Sequence, residues 1–194
     1  MRKIGLTGGI GSGKTTIAGI IQEMGYPVYD SDAAAARIVN EESDVKRALV
    51  DAFGEEIYAA TGKLDRPRLA SIVFNDPAAL ARANAIIHPA VTRDFHRWCA
   101  ARRAPLSFFE SAILFEAGLA DAFDAVITVV ADEETRVERV MKRDGVPREK
   151  VIERARNQSG GDPARSRFII RNNRDDMLVE QVLHVIHHLE TWQE

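Results

Sequence analysis

Residues near the start of the chain have the types and spacing of a loop that binds phosphate. Residues 8–15 read Gly-Gly-Ile-Gly-Ser-Gly-Lys-Thr and match the pattern G-x-x-x-x-G-K-[ST] at every position. Because glycines carry no Cβ, backbone N–H groups can converge on phosphate oxygens, with Lys14 reaching the β- and γ-phosphates and Thr15 binding Mg²⁺. The pattern predicts nucleoside triphosphate binding; the alternative is a glycine-rich turn with a chance lysine. The predicted nucleotide ligands are Gly8, Gly9, Gly11, Ser12, Gly13, Lys14, Thr15 and Thr16.

The patterns on both sides of this loop are those of a strand and a helix. The apolar run Ile4-Gly5-Leu6 precedes it, and apolar residues at the spacing of one helical face follow it, up to Gly25. A strand, a glycine loop and a helix N-terminus are the elements that a phosphate site of this kind needs.

Two carboxylates follow a short second strand pattern, Pro27-Val28-Tyr29. Asp30 and Asp32 would lie at the carboxyl end of that strand, where ligands bind in open α/β sheets. Asp32 could accept the proton of an attacking hydroxyl, or it could cap the next helix. The sequence leaves both roles open, and Asp30 is expected to contact the second substrate.

Two further acids follow the third strand pattern. Leu106-Ser107-Phe108-Phe109 ends in Glu110, as expected of a carboxylate that supports Mg²⁺ through water, although a strand can end in an acid by chance. Glu116 is a second acid close behind, expected at the mouth of the cleft and in contact with substrate.

The C-terminal third is rich in arginine. Residues 136–174 contain ten Arg and two Lys against five Asp or Glu, a balance of +7 in a chain whose net charge is −3. Arg136, Arg139 and Arg143 share one side of a predicted helix, which indicates either a phosphate-binding surface or a solvated face. Overall acidity argues against nucleic acid as the partner. Residues 146–162, from a turn with Pro147 to Gly160-Gly161, are expected to form a mobile helical lid.

Residues 41–103 have the pattern of helices joined by turns. An insertion of this kind over an α/β core usually recognises the second substrate. The pattern predicts that one helix ends at His88-Pro89 and that another begins there. His88 is then either a structural turn residue or a substrate contact.

Composition excludes several classes of protein. The chain has 194 residues, 45% hydrophobic and 28% charged, and no repeat or low-complexity tract. It has no apolar run near the ~20 residues of a membrane span, and because the first strand pattern follows the N-terminus directly, no signal peptide is expected. With a single cysteine, Cys99, it is expected to be a soluble cytoplasmic protein without an internal disulfide.

Taken together, these motifs resemble the dephospho-coenzyme A kinase family almost from end to end. The matching segments are residues 4–15, Asp30-Ser31-Asp32, His88-Pro89, Leu114-Phe115-Glu116, Arg139, Arg143-Asp144-Gly145, Gln158, Ile170 and Asn172-Asn173. The sequence departs from the family pattern at Ser31, Ala112, Ile113 and Arg174. The last of these stands where glycine is usual.

The resemblance implies transfer of the ATP γ-phosphoryl group to the ribose 3′-hydroxyl of dephospho-coenzyme A, with Mg²⁺ as cofactor. It implies Asp32 as base, Arg139 neutralising charge on the transferred group, and Arg143 and Asn172 as nucleotide contacts. The implied fold is a three-layer α/β/α sandwich on a five-stranded parallel sheet with the loop strand central.

The expected organisation is one kinase domain. Residues 1–40 and 104–194 would form the nucleotide core, and residues 41–103 the acceptor-binding insertion, where Phe74, Phe95 and Trp98 could line a groove. The partner would be dephospho-coenzyme A, with no nucleic acid and no membrane, and the protein a monomer or weak homo-oligomer.

Two alternatives remain at the level of the sequence. A kinase for another small hydroxyl or nucleotide acceptor shares the core features. A GTP-dependent switch would need N-K-x-D, whereas residues 172–175 read Asn-Asn-Arg-Asp.

Overall fold

The computed structural model describes residues 1–74, 76–156 and 161–192. The chain divides into two compact units: the first comprises Met1–Asp30 and Arg103–Glu194, and the second comprises Ser31–Arg102. The sequence placed the corresponding boundaries after residues 40 and 103, so the second unit here begins one helix earlier. Among the described residues, no helix is both long enough and apolar enough to cross a membrane.

The first unit is built on a five-stranded parallel sheet. Its strands are β1 Arg2–Thr7, β2 Val28–Asp30, β3 Leu106–Glu110, β4 Ala125–Val130 and β5 Phe168–Arg171. They lie in the order β2-β3-β1-β4-β5, and every neighbouring pair is parallel. This confirms the predicted α/β class and the central position of the strand that leads into the loop. Parallel sheets are covered on both faces, which explains the nearly continuous apolar runs of β3 and β4.

Helices flank this sheet and make up most of the second unit. In chain order they are α1 Lys14–Glu23, α2 Ser31–Glu41, α3 Ser43–Phe53, α4 Arg66–Val73, α5 Pro77–Ala100, α6 Glu133–Asp144, α7 Arg148–Arg156 and α8 Leu178–Thr191.

The core on one face of the sheet joins β1 to α1 and α8. Ile4 and Leu6 point to this face because strand side chains alternate, and they pack with Ile17 of α1 and Ile186 of α8. Gly5 faces the opposite side, where a Cβ would lie 2.7 Å from Leu114 Cδ1. The strand that leads into the loop is therefore fixed from both faces.

The second unit is held together by polar contacts between its helices as well as by its core. Arg37 of α2 binds Asp94 of α5 at 2.6 Å, and Arg97 of α5 binds Glu42, just before α3, also at 2.6 Å. The Tyr58 hydroxyl donates to the carbonyl of Val39 at 2.7 Å. These helices lie where the sequence periodicity predicts helical structure.

The predicted helix break at His88-Pro89 is wrong. α5 runs without interruption from Pro77 to Ala100, and Pro89 lies inside it. Proline cannot supply the N–H of a helical bond, which costs about 3 kcal/mol in a helix interior. Burial on both sides of the proline, at Ala83 and Val91 for example, offsets this cost because the two halves share one packed face. His88 is therefore a helical residue and not a turn residue.

Replacing Pro89 with alanine should stabilise the protein. Pro89 is exposed, so the substitution restores a helical N–H while removing little buried surface. We expect the free energy of unfolding in urea to rise by about 1–3 kcal/mol. The matched control is Pro77→Ala at the first turn of the same helix, where proline breaks no helical bond and its replacement should give no gain. Equal effects of the two substitutions would contradict this account of α5.

Candidate active site

The phosphate loop connects the carboxyl end of β1 to the first residue of α1. Gly11 and Gly13 have φ values of 77° and 85°, in the left-handed region that other residues rarely adopt. Gly13 caps α1, and its carbonyl accepts from the N–H groups of Thr16 at 2.9 Å and Ile17 at 3.2 Å. The earlier N–H groups of the helix have no intrahelical acceptor, so this end of α1 can bind an anion.

Lys14 and Thr15, the first two residues of α1, converge on Glu110 at the end of β3. Lys14 Nζ lies 2.7 Å from Glu110 Oε1, and Thr15 Oγ1 donates to the same oxygen at 3.0 Å. The Lys14 and Glu110 side chains are only 14% and 10% exposed, so the pair is largely removed from water. The register of β1 with β3 explains the contact, because Leu6 pairs with Glu110 directly before the loop.

The oxygens at this place have the chemistry that Mg²⁺ requires. Magnesium takes hard oxygen ligands, keeps several waters, and is usually bound by one or two protein groups together with substrate phosphates. The Thr15 hydroxyl and the Glu110 carboxylate form such a partial set. Within residues 1–74, 76–156 and 161–192 no group of three or more His, Cys, Asp or Glu could hold a metal by itself. The Thr15 and Glu110 oxygens therefore fit a magnesium ion that arrives with a nucleotide and its phosphates.

Asp30 and Asp32 fall in different units of the structure. Asp30 is the last residue of β2 and is in register with Glu110, which places two acids side by side at the carboxyl edge of the sheet. α2 begins at Ser31, directly after β2, so Asp32 is the second residue of the helix and not the residue before it. An acid in the first turn still interacts favourably with the helix dipole. The structural alternative for Asp32 thus changes from a cap to a dipole interaction.

Arg139 and Asn172 come together beside the loop. Arg139 Nη2 donates to Asn172 Oδ1 at 3.1 Å, and Asn172 Nδ2 donates to the carbonyl of Ser12 at 2.8 Å. Asn172 is 4% exposed, and it lies one residue beyond β5. Both predicted residues are thus adjacent to the phosphate loop, although they are far from it in sequence.

Arg143 lies in the last turn of α6, next to Asp144. Its guanidinium pairs with Asp144 at 2.7 Å and its side chain is 64% exposed. This pair raises the pKa of Arg143 and lowers the pKa of Asp144, in each case mainly through the hydrogen bond between them. A nucleotide contact of Arg143 stays a prediction.

The two remaining predicted substrate contacts occupy different settings. His88 is half-buried in α5, and burial lowers its pKa, which favours the neutral imidazole. Glu116 is exposed in the turns that follow β3. Their roles toward substrate stay predictions.

The loop also involves two residues absent from the predicted site. Arg136 of α6 donates from Nε to the carbonyl of Ile10 at 3.1 Å. Thr7, the last residue of β1, is fully buried. Among the described residues, Thr7 Oγ1 and Ser12 Oγ are buried side-chain oxygens without a hydrogen-bond partner. Buried polar atoms without partners are costly and often belong to binding sites. The spacing of Arg136 from Arg139 was visible in the sequence, but its contact with the loop was not.

Removing the charge of Glu110 should destabilise the ligand-free protein. In Glu110→Gln, the buried Lys14 ammonium keeps a neutral acceptor but loses its counter-charge, so the free energy of unfolding should fall by about 1–3 kcal/mol. The double variant Lys14→Met/Glu110→Gln should recover part of this loss, since no buried charge then lacks a partner. Urea unfolding of the four proteins in the cycle measures the coupling. Glu134→Gln, at the exposed pair with Arg148, is the control and should change little. A Glu110→Gln protein as stable as the parent would exclude a stabilising buried pair.

Comparison with known proteins concerns the chain as a whole. The family model described as dephospho-CoA kinase matches residues 2–177. A dephospho-CoA kinase of Bacteroides fragilis is 37% identical over 187 residues, which cover 95% of this chain and 91% of that protein. A crystal structure from Thermus thermophilus superposes with a TM-score of 0.83 at 36% identity and covers 98% of both chains. The structure of a dephospho-CoA kinase from Campylobacter jejuni has a TM-score of 0.67 at 23% identity, covers 97% of this chain and 96% of that one, and supports the fold. The chain belongs to the dephospho-CoA kinase family.

Proposed function

We propose that this chain transfers the γ-phosphoryl group of ATP to the ribose 3′-hydroxyl of dephospho-CoA, giving coenzyme A and ADP. The observation that carries the proposal is the loop of residues 8–15, with Lys14 and Thr15 converging on Glu110, in a chain of this family. Phosphoryl transfer needs little covalent chemistry from the protein. Catalysis of this kind consists mainly of positioning and charge stabilisation.

The loop binds the triphosphate through backbone and side chain together. N–H groups at the start of α1 contact phosphate oxygens, and Lys14 exchanges its bond with Glu110 for one with the β- and γ-phosphates. When bound, Mg²⁺ held by Thr15 and, through water, by Glu110 would neutralise charge on the phosphate oxygens. Because Lys14 is already confined by its buried pair, it loses little conformational freedom on binding.

Asp32 is the proposed base. Its carboxylate accepts the proton of the 3′-hydroxyl as that oxygen attacks phosphorus. Asp30, at the end of β2 and directly before α2, is the proposed contact with the acceptor. The exposure of Asp32 at the start of α2 favours this role, because a base must be accessible to substrate.

Arg139 is the proposed neutraliser of charge on the transferred group. Its Nη2 is held by Asn172, and its Nη1 lies 3.5 Å from the carbonyl of Gly11, so the guanidinium already stands beside the loop. Arg143 joins it at the nucleotide. The proposed lid spans 146–162 and contains α7, but Gln158 and its neighbours at 157 and 159–160 lie outside the described residues.

The second unit is the proposed acceptor-binding part, and His88 is a proposed contact within it. Glu116, in the first unit, is also proposed to contact substrate. The expected groove of three aromatic side chains needs revision. Phe95 is only 2% exposed and belongs to the core of its unit, whereas Phe74 is 70% exposed. Phe74 is therefore the better candidate for an apolar contact with the pantetheine arm.

The proposed setting is the cytoplasm, with a small-molecule acceptor and no nucleic acid. The protein is expected to act as a monomer or weak homo-oligomer. The net charge of −3 supports the exclusion of a polyanion as main partner.

The substrate assignment is tested by comparing acceptors. With ATP and Mg²⁺, purified protein should phosphorylate dephospho-CoA at the 3′ position with a kcat/KM far above that for AMP or adenosine. The pantetheine arm contributes binding energy although it is remote from the reacting hydroxyl. Equal or better turnover of AMP would contradict the substrate assignment and favour a nucleotide kinase. Replacing ATP with GTP in the same assay tests nucleotide choice.

The proposed base is tested by Asp32→Asn. The amide cannot accept the proton, so kcat should fall by ~10²–10⁴. The control is Asp44→Asn, because α3 begins with Ser43-Asp44 as α2 begins with Ser31-Asp32. Both variants lose one acid from a first turn, and both should unfold at nearly the parent temperature. Full activity of Asp32→Asn would transfer the role to Asp30 or to no residue.

A further inference from the structure

Side chains from outside the phosphate loop bind consecutive carbonyl groups within it. The contacts are Arg136 Nε with Ile10 O at 3.1 Å, Arg139 Nη1 with Gly11 O at 3.5 Å, and Asn172 Nδ2 with Ser12 O at 2.8 Å. The first and last are well-formed hydrogen bonds, and the middle one is long. Two of the three donors lie on α6, and the third follows β5.

Fixing a carbonyl also fixes the next N–H group. Because the peptide unit is planar and trans, its C=O and N–H point in opposite directions. The bond to Ile10 O therefore turns the Gly11 N–H away from α6, and the bond to Ser12 O turns the Gly13 N–H away from Asn172. In the described part of the chain these two N–H groups make no hydrogen bond, whereas the Ser12 N–H between them donates to Gly9 O at 3.0 Å.

Glycine at positions 11 and 13 also allows Arg136 of α6 and Asn172 to approach the loop closely. A Cβ on Gly11 would lie 2.4 Å from the carbonyl oxygen of Arg136, and a Cβ on Gly13 would lie 2.0 Å from Asn172 Nδ2. Neither distance is sterically possible without a shift of the neighbour. The positions that need glycine for their φ values are thus also those against which α6 and Asn172 pack.

We infer that Arg136 and Asn172 are positioning residues for the phosphate loop, which hold its carbonyls outward so that the N–H groups of Gly11 and Gly13 face the bound phosphate. Asn172 acts on two groups at once, because its Oδ1 also holds Arg139. Its burial to 4% exposure keeps this bridge out of competition with water. The inference rests on the proposed function, since it assigns the orientation of the groups that bind triphosphate.

Inorganic tripolyphosphate is the appropriate probe, because it engages the loop without adenosine. Arg136→Met keeps the aliphatic stem on α6 but removes the donor to Ile10 O. Calorimetric titration at fixed ionic strength and fixed Mg²⁺ should show about tenfold weaker binding, the loss expected when about one hydrogen bond no longer orients the site. The control is Arg174→Met, which removes the same charge from an exposed pair with Glu138, two residues beyond Asn172. It should bind nearly as the parent does.

A second readout follows the N–H groups themselves. In protein labelled with ¹⁵N-glycine, tripolyphosphate should shift the amide resonances of Gly11 and Gly13 in the parent, and these shifts should be strongly reduced in Arg136→Met. Asn172→Ser, which shortens the bridge, tests the Gly13 side in the same way if Arg136→Met does not fold. For either folded variant, KM for ATP should rise more than kcat falls.

The possible outcomes distinguish failure of this inference from failure of the proposed function. Equal loss of affinity in Arg136→Met and Arg174→Met, or an unchanged Gly11 resonance shift in Arg136→Met, would overturn the inference and reduce Arg136 to its charge. Failure of the parent itself to bind tripolyphosphate or ATP would overturn the proposed function instead. A lower unfolding temperature with unchanged affinity would show that the contact is only structural and would also overturn the inference.

Discussion

The first unit is organised around backbone N–H groups of the phosphate loop. Those of Gly11 and Gly13 have no hydrogen-bond partner within the described residues. They lie where β1 ends and α1 begins, in a loop that is partly buried. Such groups are costly when buried and useful when an anion binds. We infer that the strand fixed from both faces, the glycines with positive φ, and the contacts from α6 and Asn172 keep these groups oriented. A loop of the same sequence without these neighbours would be free to turn its carbonyls inward.

The phosphate loop also contains one member of an ion pair. The ammonium of Lys14 and the carboxylate of Glu110 form a pair that is largely shielded from water. Removing either partner alone would leave a largely buried charge without its counter-charge, which is destabilising. The same two groups are those that a triphosphate and its magnesium would engage. In the ligand-free protein the two opposite charges lie in contact with each other.

Only some of the arginines in the C-terminal third contact the phosphate loop. Among the described residues, Arg136 and Arg139 donate to loop carbonyls. Others make exposed pairs with acids, such as Arg148 with Glu134 and Arg174 with Glu138. Exposed pairs contribute little to stability. Much of the segment's positive charge therefore lies on the surface, where it can attract an anionic nucleotide without forming part of its site.

The sequence by itself determined the elements that depend on near neighbours. The loop between β1 and α1, the parallel strands and the acid at the end of β3 follow from patterns a few residues long. Only the tertiary structure decided that α5 continues through Pro89 and that Phe95 is buried. It also decided that Arg136 and Asn172 donate hydrogen bonds to Ile10 and Ser12 of the loop, across separations of 126 and 160 residues. The reason is that periodicity records which side of an element is apolar, whereas such contacts depend on how distant elements pack, which no local pattern encodes.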